Sequence, residues 1–110
     1  MRKIGYVAVD RGAKLTLQAL ADGLAGRWLG FDDVVRAQDI ELLICGTSDT
    51  MSGRALEADA RIAARLAGVP CVVIEDFPGN YVEVPEGRPR ILFVESEFAA
   101  RLARVKIDLR

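Results

Sequence analysis

Continuous apolar runs alternate with segments of helical period along the chain, and this alternation carries most of the structural prediction. Residues 4–9 (IGYVAV) form an apolar run of the kind buried on both faces of a parallel sheet. Arg11-Gly12 breaks that run. Over residues 14–29, Leu17, Leu20, Ala21, Leu24 and Trp28 recur at helical spacing. Gly23 and Gly26 weaken this helix by roughly 1 kcal/mol each relative to alanine. Residues 31–39 (FDDVVRAQD) read as a short helical turn after Gly30. Residues 41–45 (ELLIC) are the second strand. Ser52-Gly53 opens a helix running to about Ala67, with Leu56, Ala60, Ala63, Ala64 and Ala67 on its apolar face and Glu57 set to pair with Arg61 one turn on. Gly68 and Pro70 end it. Residues 71–74 are the third strand. Residues 77–90 (FPGNYVEVPEGRPR) hold three prolines and two glycines, which predicts a long loop with a short extended piece at 81–84. Residues 91–94 are the fourth strand, 96–103 a helix, and the alternating 105–109 (VKIDL) a short final strand.

Strands that alternate with helices demand a parallel sheet with right-handed crossovers and helices on its faces. The expected fold is therefore α/β, a three-layer αβα arrangement around a mainly parallel sheet of four to five strands, Rossmann-like or flavodoxin-like. With 110 residues, one domain spanning 1–110 is expected, without internal repeats.

Bulk composition narrows the function classes. The chain is 51% hydrophobic and 28% charged, an ordinary globular balance. Its formal net charge is −1 and its basic residues are scattered, which gives no electrostatic reason to expect nucleic acid or an anionic membrane as partner. No run approaches the length of a membrane span and the N-terminus does not read as a signal peptide, so a cytoplasmic location is expected. Cys45 and Cys71 each lie inside an apolar run and are expected as small buried side chains, not a disulfide. The chain contains no histidine, which excludes His-based triads, imidazole acid–base chemistry and mixed Cys/His zinc sites within it.

In open parallel sheets, ligands bind beyond the carboxyl ends of the strands. Strand one ends in Asp10, Arg11 and Gly12, and strand two in Gly46, Thr47, Ser48, Asp49 and Thr50. Strand three ends in Glu75-Asp76 and leads to Asn80 and Tyr81; strand four ends in Glu95. Gly46–Gly53 (GTSDTMSG) precedes a helix N-terminus, where free N–H groups and the helix dipole favour anions. The loop has no Walker lysine and is not a G-x-G-x-x-G fingerprint, and Asp49 would repel an anion. It serves equally as a plain strand-to-helix turn in which Ser48, Thr50 or Ser52 caps the helix. Asp10, Glu75, Asp76 and Glu95 raise the alternative of a Mg²⁺-binding or acid–base carboxylate cluster. Tyr81, with Asn80 and Phe77, offers a stacking wall for a sugar or base, while Pro78-Gly79-Asn80 is also a good turn by itself. No catalytic residue, metal ligand or cofactor is assigned.

Gly46-Thr47-Ser48 before a helix, Gly68-Val69-Pro70 before a strand, Asp76 with Asn80-Tyr81, and Glu95 before a helix together resemble the N-terminal half of GT-B-fold proteins. The likeness is to bacterial nucleotide-sugar 2-epimerases and polysaccharide-biosynthesis glycosyltransferases. It covers about residues 41–103, with a weaker match at 5–12. The resemblance implies a Rossmann-like half-domain that binds a sugar or nucleotide-sugar and needs a second domain or subunit for catalysis. In such proteins the nucleotide-sugar is held mainly by the C-terminal domain. Here the sequence reaches Arg110 about where the linker to that domain would start, and the histidine often used by those enzymes is absent. Two other readings remain open. One is a non-enzymatic oligomerising or regulatory module, a homodimer with an apolar surface on 77–89 or near Trp28. The other is a small Mg²⁺-dependent phosphoryl-transfer enzyme using Asp10 and Asp76.

Overall fold

The computed structural model describes residues 3–30 and 39–108. Strand β1 (Ile4–Val7) is wholly buried and leads into helix α1 (Arg11–Leu24). A two-residue strand β2 (Arg27–Trp28) follows, then β3 (Leu42–Cys45), helix α2 (Met51–Leu66) and β4 (Cys71–Ile74). A 3₁₀ turn at Pro85–Gly87 precedes β5 (Ile91–Phe93) and helix α3 (Glu97–Asp108). The five strands form one sheet in the order β2-β1-β3-β4-β5, every pair parallel. This is the expected three-layer α/β fold, with the strand order of flavodoxin-like sheets. The order reverses between β1 and β3, the switch point where such sheets open a crevice.

Alternation along the strands divides the core in two. Ile4, Tyr6, Ala8 and Ile44 pack under Ala13 and Leu17 of α1. Val7, Leu43, Cys45 and Val73 point to the other face and pack under Ala60 and Ala64 of α2, together with Cys71 and Tyr81. Both cysteines are free and buried, and burial raises both thiols, Cys71 up to about 12. Among the described residues no helix is long and apolar enough to cross a membrane.

Four expectations are corrected by the structure. The first helix starts at Arg11 and stops at Leu24, because Ala25 and Gly26 both adopt positive φ and turn the chain back toward the sheet. Trp28 is therefore not on a helix face. It lies in β2, with its ring 5.6 Å from that of Tyr6. Residues 105–108 continue α3 instead of forming a strand: Ala99, Ala103 and Ile107 recur every four residues, and Ile107 packs against the α2-side cluster. Residues 81–84 pair with no strand, though Val84 has the extended backbone expected there. Finally, Glu57 and Arg61 are both buried and are not an ion pair; they run to opposite edges of the sheet, as described below. The turn expected at 31–39 lies outside the described residues except for Asp39.

Candidate functional site

The crevice at the carboxyl edge is organised by one side chain that crosses it. Asp10 occupies the N-cap position of α1, yet makes no side-chain cap to its own helix. Its carboxylate instead reaches the loop before α2. Oδ2 accepts from the main-chain N–H groups of Asp49 (2.8 Å) and Thr50 (3.0 Å), and Oδ1 accepts from the Thr50 hydroxyl (2.8 Å). Thr50 caps α2 by accepting from Gly53 N–H at 3.1 Å. The hydrogen bonds from Thr50, first of all, hold the Asp10 carboxyl below the usual aspartate range. Asp10 thus occupies the N–H nest at the start of α2 where an anionic ligand would sit.

Below Asp10 lies a buried carboxylate that the sequence pattern set to pair with Arg61. Glu57, 1% exposed, accepts from Ser48 N–H (2.8 Å), the Ser48 hydroxyl (2.6 Å) and Val9 N–H (3.1 Å). The Ser48 hydroxyl in turn accepts from Asp10 N–H at 2.9 Å. Burial pushes the Glu57 carboxyl up, with the Ser48 and Val9 hydrogen bonds offsetting part of the effect. A signal for this role was present in the sequence: Glu57 sits three residues before Ala60 and seven before Ala64, on the apolar stripe.

The third element is the end of β4. Asp76 Oδ1 accepts from the Thr47 hydroxyl (2.8 Å) and from Asn80 Nδ2 (3.1 Å), while Asp76 N–H donates back to the Thr47 hydroxyl at 3.2 Å. Asp76 Oδ2 faces the start of α1, 3.1 Å from where a Cβ on Gly12 would lie. Beside this cluster, Asp49, Phe77, Pro78, Gly79 and Asn80 line an open groove of about 420 Å³. The Phe77 ring is 65% exposed there.

The expected site residues therefore separate into distinct roles. Asp10, Asp49, Thr50, Asp76 and Asn80 converge at the edge, with Gly12 against Asp76 and the Arg11 side chain exposed beside it. Thr47 and Ser48 are buried and position the carboxylates rather than face solvent. Gly46 is a packing residue, since a Cβ there would lie 3.0 Å from Ala8 Cβ and 3.2 Å from Ala13 Cβ. Glu95 is exposed, and no hydrogen bond among the described residues joins it to the cluster; its neighbour Ser96 caps α3 through Ala99 N–H at 3.1 Å.

Tyr81 departs from expectation most. It is fully buried, its hydroxyl donates to Glu83 at 3.0 Å, and the Arg61 guanidinium lies 5.4 Å above its ring. Burial raises its phenol well above the ordinary value. The ring belongs to the core because the chain after Asn80 turns inward, held by Tyr81 N–H donating to Glu75 Oε2 at 2.8 Å. Glu75 is likewise buried. Phe77 is the aromatic ring open to the groove.

The edge is rich in hydrogen-bond acceptors. Among the described residues, no group of three or more Asp, Glu or Cys side chains is arranged to hold a metal ion. Asp10→Asn tests the cap directly. The Asn oxygen can keep the Asp49 and Thr50 N–H groups, but its NH₂ replaces the acceptor of the Thr50 hydroxyl and the charge is lost, so the variant is expected to unfold at a lower denaturant midpoint at neutral pH. Because the folded-state pKa of Asp10 is depressed, its contribution is present above the unfolded value and lost as pH falls through the folded one. The gap between wild type and Asp10→Asn should therefore close toward acid; a gap constant with pH would show that Asp10 does not titrate with folding.

No family model, no curated protein and no solved structure matches this chain, so the likeness to GT-B half-domains rests on the motif residues alone.

Proposed function

We propose that the carboxyl edge of this sheet binds a hydroxyl-rich ligand, a sugar or the sugar portion of a nucleotide-sugar. On this reading it forms one wall of a site that a second domain or subunit completes. The observation that carries the reading is the placement of Asp10 in the N–H nest at the start of α2. With that nest filled by a carboxylate, the edge offers acceptors in place of an anion cradle. Carboxylate and amide oxygens at Asp76 and Asn80 suit the hydroxyl donors of a pyranose, and the exposed Phe77 ring suits its apolar face. The same placement weighs against the Mg²⁺-dependent phosphoryl-transfer reading, because the Asp10 oxygens are already taken by Asp49 and Thr50.

The oligomerising-module reading is favoured by a different observation. Ile91 and Phe93 on edge strand β5 are 50% and 53% exposed. Titration of the full chain with free hexoses and a panel of nucleotide-sugars, read by amide chemical shifts, separates the two. Saturable shifts at Asp10, Thr50 and residues 76–80, abolished by Asp76→Ala, are expected. A stable dimer in light scattering, with no shift at those amides from any sugar, would instead establish the module.

A further inference from the structure

At the opposite edge, where β4 and β5 begin, the surface changes sign. A groove of about 360 Å³ there is lined by Arg61, Arg65, Arg88 and Arg90, and no carboxylate is among its lining residues. We propose that this groove binds an oxyanion of the phosphate class, as free phosphate or as the phosphoryl group of a small ester. The inference is independent of the sugar reading, which concerns the other end of the strands.

Three observations carry it. First, the chain has 15 basic and 16 acidic residues in intermixed order, so four arginines lining one groove are a local reversal of a slightly acidic molecule. Second, the groove is pre-organised. Arg61, 3% exposed, donates from Nε to Gly87 O (3.2 Å) and from Nη2 to Val82 O (2.8 Å), and Arg65 donates from Nη1 to Pro85 O at 2.7 Å. Arg88 Nε lies 3.3 Å from Glu83 Oε2. Third, the donors are not exhausted. A guanidinium carries five N–H groups in a planar fork that matches the oxygens of a phosphate. Arg90 is pinned by its main-chain N–H to Cys71 O at 2.9 Å, while its side chain makes no hydrogen bond or ion pair among the described residues.

Holding the 82–87 loop accounts for Arg61 and Arg65. It does not account for Arg90, nor for the absence of an acidic lining residue. The C-terminus of α2 contributes about half a negative charge nearby, which disfavours an anion. Four guanidinium groups, one of them neutralised by Glu83, outweigh it. Like charges lining one groove repel one another, and a bound oxyanion relieves that repulsion. The small volume suits one or two phosphoryl groups and not a duplex.

The test uses the full chain at constant ionic strength, with sodium chloride exchanged for inorganic phosphate in one arm and for glycerol phosphate in another. Saturable amide shifts at Gly68, Val69, Arg88 and Arg90 are expected in either arm, and the tighter arm identifies the free or esterified form. Arg65→Gln with Arg90→Gln should weaken binding about tenfold or more, roughly one charge-assisted pair or better, and Arg90→Gln alone should leave the phosphate-free unfolding midpoint in place because its side chain is exposed and holds no part of the fold. If the double variant is poorly folded, Arg90→Gln alone carries the comparison. The proposal is overturned if chloride produces the same shifts, if the variants bind as tightly as wild type, or if an RNA oligomer binds where neither phosphate compound does.

Discussion

Replacing Glu57 with glutamine is expected to lower the unfolding free energy by about 2 kcal/mol. Two opposing terms decide this figure. Removing the charge relieves the burial that pushes the carboxyl up, which favours the variant. Against it stand three donors that converge on the carboxylate from Val9 N–H, Ser48 N–H and the Ser48 hydroxyl. A glutamine with its oxygen at the Oε2 position keeps Val9 N–H and the Ser48 hydroxyl but turns its NH₂ against Ser48 N–H. A buried donor left without a partner and facing another donor costs about 1–3 kcal/mol, which exceeds the relief. The measurement is the denaturant midpoint at unchanged m-value. A variant as stable as wild type would sink the account.

The pH dependence of that difference has a definite sign. The folded-state pKa of Glu57 lies above its unfolded value of about 4.3. Its contribution is then fully present below that unfolded value and declines as pH rises through the folded one. The stability lost in Glu57→Gln should therefore be larger at mildly acid pH than at neutrality. Asp10 works in the opposite direction, so the two variants should show opposite trends over the same range.

The second large effect is expected at Gly26. With φ +127°, it holds a backbone conformation that side chains rarely adopt, and a Cβ there would lie 2.6 Å from Ile4 O and 2.7 Å from Tyr6 Cε2. Ile4 belongs to β1, paired on both sides, and the Tyr6 hydroxyl is tied to Ala25 O at 2.7 Å, so neither neighbour is free to give way. Gly26→Ala should cost about 4 kcal/mol, with β2 the first strand to detach. Gly23→Ala is the control. Nothing lies within 4 Å of its would-be Cβ, and as a position in the last turn of α1 it should gain up to about 1 kcal/mol. Equal midpoints for the two variants would refute the close approach at Gly26.

These sites also mark where sequence reasoning held and where it stopped. The fold class was legible because strands buried on both faces leave continuous apolar runs, and β4 appeared at its observed bounds between Pro70 and the carboxylates. Strand β2 was not legible, because two residues leave no period and Trp28 fell by chance on the helical register of Leu17 and Leu24. The carboxyl edge was legible as a collection of polar residues, since topology alone gathers them. The roles within it were not. Whether Asp10 caps its own helix or a distant one depends on how β1 and β3 are placed, and Tyr81 reads alike as a wall or as core. Glu57 and Arg61 show the same limit: i,i+4 spacing predicts a surface pair, but burial sends one to each end of the sheet.

The bond that Asp10 makes across the crevice has a consequence for the order in which the molecule assembles. Its partners at Asp49 and Thr50 lie 39 and 40 positions along the chain, and β1 pairs with β3 across a similar span. Local collapse of β3 and α2 cannot supply that contact, and in an all-parallel sheet no hairpin shortens the route to it. The first turn of α2 should stay frayed in the transition state and close after β1 has docked, giving Asp10 and Thr50 low φ-values beside higher ones for the β3 core. The crevice is then the last part of this edge to form.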